Sequence, residues 1–124
     1  MFQNDYIMRM IREMIRMLIK LLCNIDMEQT EELNLEKAAA EKLLTLKELI
    51  DSGAIEQAEN QLLEELNLQN KQDFLTAVLF YQYLNEKSDE VLTSGNFTRE
   101  EIAEGLRSVA KLYGYESVIT AFQQ

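Results

Sequence analysis

Histidine and proline are both absent from this chain of 124 residues, and glycine occurs only four times. Without histidine there is no imidazole to act as a general base or a metal ligand, which excludes Ser-His and Cys-His pairs and the Glu-x-x-His motif of di-iron bundles. Proline and glycine are the usual markers of β turns and irregular loops. Their absence and scarcity therefore favour a protein built from long helices.

Cysteine is also scarce. The single residue, Cys23, allows no intramolecular disulfide, which fits a reducing compartment. It lies one turn from Lys20 but has no base or orienting partner nearby in sequence, so we expect an inert helix cysteine rather than a nucleophile. No uncharged apolar run approaches the roughly 18 residues that a membrane span needs, and charged residues interrupt the N-terminal stretch too often for a secretory signal. We expect a cytoplasmic protein.

Motifs of catalysis and cofactor binding are missing as well. The four glycines are isolated, so they form no phosphate-binding loop, and "DSGAIEQAENQL" lacks the alternating oxygen ligands of an EF-hand. Carboxylates such as Glu100 and Glu104 share a helix face, but a solvated face at a helix N-terminus is the simpler interpretation. We therefore predict no catalytic residue, no cofactor and no metal, with carboxylate-based catalysis as the alternative.

The charge of the chain is uneven. Its net charge is −10, yet residues 1–25 carry four basic side chains against two acidic ones, and the rest of the chain carries −12. Nucleic acid binding rewards a net basic face. We predict that the chain does not bind nucleic acid.

The N-terminal stretch "MRMIREMIRMLIKLLCNI" is both basic and apolar, and it predicts a helix over residues 5–25. On a helical wheel at about 100° per residue, the charged side chains fall within one arc of roughly 120°. The apolar arc is about twice as wide as the stripe that a surface helix usually needs, so this helix must be covered on more than one side. The charged arc contains Asp5, Arg9, Arg12, Glu13, Arg16 and Lys20; the apolar arc contains Ile7, Met10, Ile11, Met14, Ile15, Met17, Leu18, Leu21, Leu22 and Ile25.

Three kinds of cover are possible. Within the chain, residues 28–65 carry eleven acidic side chains against three lysines, so the helix can pack near that segment with its cations at the edge. Between chains, the apolar width fits pairing across a twofold axis or with another protein's helix, and the four methionines of this helix suit an adaptable contact. An anionic membrane surface is the third possibility, although the acidic chain and the lack of tryptophan weigh against it.

The remaining sequence predicts further helices joined by short polar links. One ends at Asp51 before Gly53, one follows over residues 54–66, and a helix that is apolar nearly all round begins near Gln72 and restarts at Ser88. "FTREEI" predicts a capping box between Thr98 and Glu101. We predict one all-α domain, 1–124, with five or six helices: the N-terminal amphipathic helix of residues 1–25 and a helical hairpin core of residues 30–124. Thr30 and Asn34 are candidate N-caps, and a helix over 116–122 ends the chain.

The stretch "LKELIDSGAIEQAENQLLEELN" resembles half of a tetratricopeptide unit, a helical hairpin of about 34 residues with small residues where its helices meet. Gly53 would lie in the turn, Ala58 at the small position and Leu62 one turn later. The expected aromatic residue of the first helix and the closing proline are missing, and a second unit over 74–113 has irregular spacing. The resemblance implies antiparallel helical hairpins with tetratricopeptide-like packing.

Over nearly its full length the chain also resembles a family of short bacterial proteins, found mainly in Gram-positive Firmicutes and classed as a domain of unknown function. The segments "MFQNDYIMRMIREMIRMLIKLL" and "NFTREEIAEGL" carry this resemblance. It implies a helical, cytoplasmic bacterial protein, and it supplies no activity and no functional residue.

These observations predict a non-enzymatic protein-interaction or assembly module whose N-terminal helix is the interface, with a protein partner or a second copy of the chain as its occupant. The alternative is peripheral association with a membrane surface through the same helix. The candidate interface residues are Arg9, Met10, Arg12, Met14, Arg16, Met17, Lys20 and Leu21.

Overall fold

A computed structural model describes residues 2–23 and 36–120, with the side chains of residues 5–22 and 36–120. Across these residues the chain forms helices and loops without a strand, which confirms the predicted all-α fold. The two shortest helices bring the number above the five or six expected. In chain order the helices are α1 (Phe2–Cys23), α2 (Lys37–Asp51), α3 (Ile55–Glu64), α4 (Lys71–Asn85), α5 (Asp89–Ser94), α6 (Arg99–Leu112) and α7 (Glu116–Thr120).

Helix α4 lies at the centre of the fold, where it packs against α1, α2 and α6. Phe74, Phe80 and Tyr81 are fully buried along it, and so are Ala77, Val78 and Leu84. A helix that is apolar nearly all round has no face that water can cover favourably. The apolar composition seen in the sequence therefore explains why α4 is central.

Helix α1 packs against α4, α6 and α7 and not extensively against α2 or α3. The cations of α1 therefore do not pack along the acidic α2–α3 hairpin, and the structure does not bear out that alternative for the described residues. The buried side chains of α1 are Ile7, Ile11, Met14, Ile15, Leu18 and Ile19. None of the described helices is both long and apolar enough to cross a membrane.

Local capping signals explain where the helices begin and end. Ser88 accepts a hydrogen bond from the backbone of Val91, and Thr98 forms the predicted capping box with Glu101. Gly53 and Gly114 have φ angles of 93° and 88°, which L side chains rarely adopt, and each follows a helix end. The candidate caps Thr30 and Asn34, the predicted end of the first helix at 24–25 and that of the last at 121–122 lie outside the described residues.

The α2–α3 hairpin buries one apolar face of each helix. The buried side chains are Ala39, Leu43, Leu46 and Ile50 of α2 and Ile55, Ala58 and Leu62 of α3. The second unit that a tetratricopeptide array would need, over 74–113, is divided among α4, α5 and α6. The tetratricopeptide-like packing therefore stays a prediction.

A buried arginine holds the connection between α4 and α6. Arg99 donates from Nη1 to the carbonyl oxygen of Asn85 at 2.8 Å and from Nη2 to that of Lys87 at 2.6 Å. Its Nε donates to Asp89 at 3.1 Å. Asn85, itself fully buried, donates from Nδ2 to the carbonyl oxygen of Met8 at 3.1 Å. This chain of hydrogen bonds joins α6, α4 and α1.

Candidate interaction surfaces

Four apolar side chains form a line along α1, and three of them are exposed. Tyr6 is 58% exposed, Met17 41% and Leu21 49%, while Met10 is partly buried. Spacings of four, seven and four residues place these side chains on one helix face. We call this surface the α1 stripe. It lies between the buried face of α1 and its charged arc.

The α1 stripe borders α6. Arg107 of α6 donates from Nη2 to the sulfur of Met10 at 3.7 Å, so Met10 marks the edge where the stripe meets the rest of the domain. Tyr6, Arg9, Met10 and Glu13 line a shallow open cavity of about 300 Å³ at the N-terminal end of the stripe. A concave apolar surface with a few charged groups at its rim is typical of a contact site.

The flank of the α1 stripe is basic. Arg16 is 3.9 Å from Glu13 of the same helix, a long and exposed ion pair that contributes little to stability. Among the described residues no carboxylate forms an ion pair with Arg9 or Lys20. An acidic chain thus presents a helix edge on which cations outnumber carboxylates.

The structure divides the eight candidate interface residues among three places. Arg9, Met10, Arg16, Met17, Lys20 and Leu21 lie on or beside the α1 stripe. Met14 is 1% exposed in the core, so it cannot contact a partner while the fold is intact. Arg12 lies at the other edge of α1, where its Nε is 3.5 Å from a carboxylate oxygen of Glu86. Sequence analysis missed Tyr6, which its four-residue spacing from Met10 would have revealed.

A second surface lies between α3 and α6. Asn96, just before α6, donates to Glu56 at the start of α3 at 3.1 Å, and the hydroxyl of Tyr113, just after α6, donates to the carbonyl oxygen of Asn67 at 2.8 Å. The two helices therefore run side by side in the same direction. They do not pack closely on each other, and we call the space between them the α3–α6 groove.

The α3–α6 groove holds a cavity of about 260 Å³. Tyr81 of α4 lies at its base and donates its hydroxyl to Glu59 of α3 at 2.8 Å. Leu63 of α3 is 41% exposed along one wall. Leu112 is 56% exposed and follows Ser108 by four residues, which places it on the wall that α6 contributes. The other residues that line the cavity are Glu101, Glu104, Gly105 and Ser108.

Carboxylates set the electrostatics of the groove. Burial raises the pKa of Glu59; the hydrogen bond from Tyr81 opposes this, and the carboxylates of Glu101 and Glu56 raise the pKa further. Burial and the neighbouring Glu59 raise the pKa of Tyr81 well above its usual range. Because negative charges face each other across the groove, a cation placed there would be bound favourably.

The groove has no feature of a metal site within the described residues, which contain no group of three or more suitable ligands. Glu59 already accepts the Tyr81 hydroxyl, and Glu101 accepts the backbone N–H of Thr98 in the capping box. Sequence analysis had paired Glu100 with Glu104 only as helix neighbours. It could not bring Glu59 to Glu101, because their proximity comes from the packing of α3 beside α6.

Gly105 is required for the shape of the groove. A Cβ atom at this position would lie 2.5 Å from the hydroxyl oxygen of Tyr81 and 2.7 Å from two of its ring carbons. We expect Gly105→Ala to displace Tyr81 and to lower the free energy of unfolding by about 1–3 kcal/mol, although helix propensity alone would raise it by about 1 kcal/mol. Chemical denaturation measures the difference, with Ser108→Ala as control. A gain in stability for Gly105→Ala would contradict this packing.

The comparison with known families adds one finding. The profile of DUF6483, a family of unknown function, matches residues 1–114. The chain belongs to this family. No curated protein and no solved structure matches the chain. The DUF6483 match confirms the resemblance to a domain of unknown function, and it extends from α1 to the end of α6, so that it includes both the α1 stripe and the α3–α6 groove.

Proposed function

We propose that this DUF6483 protein is a non-enzymatic protein-interaction module that binds its partner through the α1 stripe. The observation that carries the proposal is the line of apolar side chains left uncovered on a helix whose other apolar face is fully used by the core. Exposed apolar side chains that lie in line, beside charged residues, are typical of contact sites. Methionine side chains adapt their shape to a partner at little cost.

The charge beside the stripe indicates the chemistry of the partner. Arg9, Arg16 and Lys20 flank the apolar residues, so a matching surface combines apolar side chains with carboxylates. Such charges direct encounter and orientation, while the buried apolar centre supplies most of the affinity.

Two features weigh against the membrane alternative. Most of the apolar arc of α1 is buried against α4 and α6, so only its edge could reach lipid unless the helix left the fold. The net charge of −10 would also be repelled by an anionic bilayer. Flotation of the full chain with vesicles of anionic phospholipid tests this alternative directly, and binding that depends on Met17 and Leu21 would favour it.

A pair of matched double variants tests the proposal. Met17→Gln with Leu21→Gln removes the apolar character of the stripe, and Leu44→Gln with Val91→Gln removes two similarly exposed side chains from α2 and α5. We expect the stripe variant to lose, by at least tenfold, the proteins that co-purify with the wild-type chain from its native cells, while the control retains them.

Both variants should keep the circular dichroism spectrum and melting temperature of the wild type, because all four side chains are exposed. Equal retention of the same partners by the stripe variant and the control would contradict the proposal. Equal loss from both would contradict it too, because the α1 stripe would then have no special part in binding.

A further inference from the structure

We infer that the α1 stripe binds the α3–α6 groove of a second copy of this chain, so that the copies assemble head to tail. This inference rests on the proposed function, since it names the partner of the same stripe. It depends on the complementarity of two surfaces that occupy different sides of one molecule.

The charges of the two surfaces are complementary. The groove presents Glu59 and Glu104, with Glu56 and Glu101 beside them. Among the described residues none of these carboxylates forms an ion pair with a lysine or arginine. The cations Arg9 and Lys20 of the α1 flank likewise have no carboxylate partner in the described part of their own chain. Docking of α1 into the groove would give both sets of charges a partner.

The two surfaces also match in apolar character. Leu63 lines the groove and is exposed. Leu112 is exposed one turn beyond Ser108 on the same face of α6. The α1 stripe offers Met17 and Leu21 to cover these two leucines. At about 1.5 Å per residue, the stripe from Tyr6 to Leu21 is about 22 Å long, α6 is about 21 Å long and α3 is about 15 Å long. The stripe therefore spans the whole groove, with contact to α6 along its length and to α3 along about two thirds of it.

Symmetric pairing of two α1 stripes is less favourable on charge. In an antiparallel pair the flanks with Arg9, Arg16 and Lys20 would meet, and their cations outnumber Glu13. In either symmetric arrangement the groove carboxylates would gain no cation. The stripe and the groove, in contrast, border different sides of α6, since Arg107 contacts α1 and Gly105 faces the groove. Occupying one does not block the other, so the contact is heterologous and forms a ring or a filament.

A charge-reversal experiment on the full chain tests the inference. Variant A carries Arg9→Glu and Lys20→Glu, and variant B carries Glu56→Lys and Glu104→Lys. A control variant carries Glu48→Lys and Glu90→Lys, which change the net charge as much as variant B but lie on exposed parts of α2 and α5. Light scattering over about 1 to 300 µM measures the solution mass of each protein and of a mixture of A and B in equal amounts.

We expect the wild type and the control to gain mass with concentration, and A and B alone to associate at least tenfold more weakly. The mixture of A and B should regain the wild-type mass. The reversed α1 of A can then meet the reversed groove of B, and the unchanged α1 of B can meet the unchanged groove of A, so each contact joins opposite charges. High salt should weaken the wild-type assembly, because the charges at its rim are screened. Circular dichroism confirms that A and B are folded.

Three results would overturn the inference: a wild type that stays monomeric across the whole range, a variant B that assembles alone as well as the wild type, or a mixture that fails to regain mass. None of these would decide the proposed function. That proposal depends instead on whether Met17→Gln with Leu21→Gln loses co-purified proteins, which include partners other than the chain itself.

Discussion

Arg99→Met is expected to lower the free energy of unfolding by about 2–5 kcal/mol, because two poorly hydrated backbone acceptors would lose their donor. The arginine is 5% exposed, and its guanidinium donates to Asn85 and to Lys87 through their carbonyl oxygens. Methionine fills much of the same volume but donates nothing. The carbonyl oxygens would lose their partners in a place where water reaches them poorly.

The ion pair between Arg99 and Asp89 contributes little to this expectation. The side chain of Asp89 is 54% exposed, and solvent screens such a pair strongly. The hydrogen bonds to the backbone carbonyls dominate, because they fix the connection between α4 and α6. Asn85 also connects α4 to α1 through its hydrogen bond to the carbonyl oxygen of Met8. We therefore expect the substitution of Arg99 to destabilise the whole domain as one cooperative unit.

Urea denaturation of the variant measures this effect, and Arg107→Met provides the matched control on the same helix. Within the part of the chain that the structure describes, the Nε of Arg107 is buried without a hydrogen-bond partner, and its Nη2 donates to the sulfur of Met10. Removing such a group should change stability far less. Equal losses for the two arginine variants would show that the backbone hydrogen bonds of Arg99 do not govern the connection.

These two arginines also illustrate what sequence could and could not predict. The capping box at Thr98 and the central place of α4 follow from local spacing and composition, which tertiary packing then reinforces. The role of Arg99 does not follow, although it stands directly after the capping threonine. Its acceptors are backbone carbonyl oxygens at the end of α4 and just after it, and every residue type offers such an oxygen.

The two interaction surfaces also differ in how far the sequence predicts them. The helical wheel showed that the apolar arc of α1 was too wide for one contact, but it could not say which part of the arc the core would use. In the structure, α4 and α6 pack against one part of this arc, and that part is the buried face of α1. The α3–α6 groove depends entirely on long-range packing, because residues about forty positions apart, such as Glu59 and Glu101, form its opposite walls.

Met14 and Met17 provide a direct test of this division of α1. They are the same residue type, one helical turn apart, yet Met14 is buried in the core and Met17 belongs to the α1 stripe. We expect Met14→Ala to lower the free energy of unfolding by about 2–5 kcal/mol and Met17→Ala to change it by about 0.5 kcal/mol or less. Chemical denaturation of the two variants, at a concentration low enough to prevent association, measures both.

The two variants separate stability from binding, because substitution of a core residue lowers the free energy of unfolding and substitution of an interface residue lowers the affinity for the partner. Met17→Ala should weaken assembly of the full chain while its melting temperature stays the same, and Met14→Ala should do the reverse at temperatures where it remains folded. If the two methionines proved equally costly to remove, α1 would have to be rotated about its axis relative to the described packing. The α1 stripe would then not be the surface that a second copy meets.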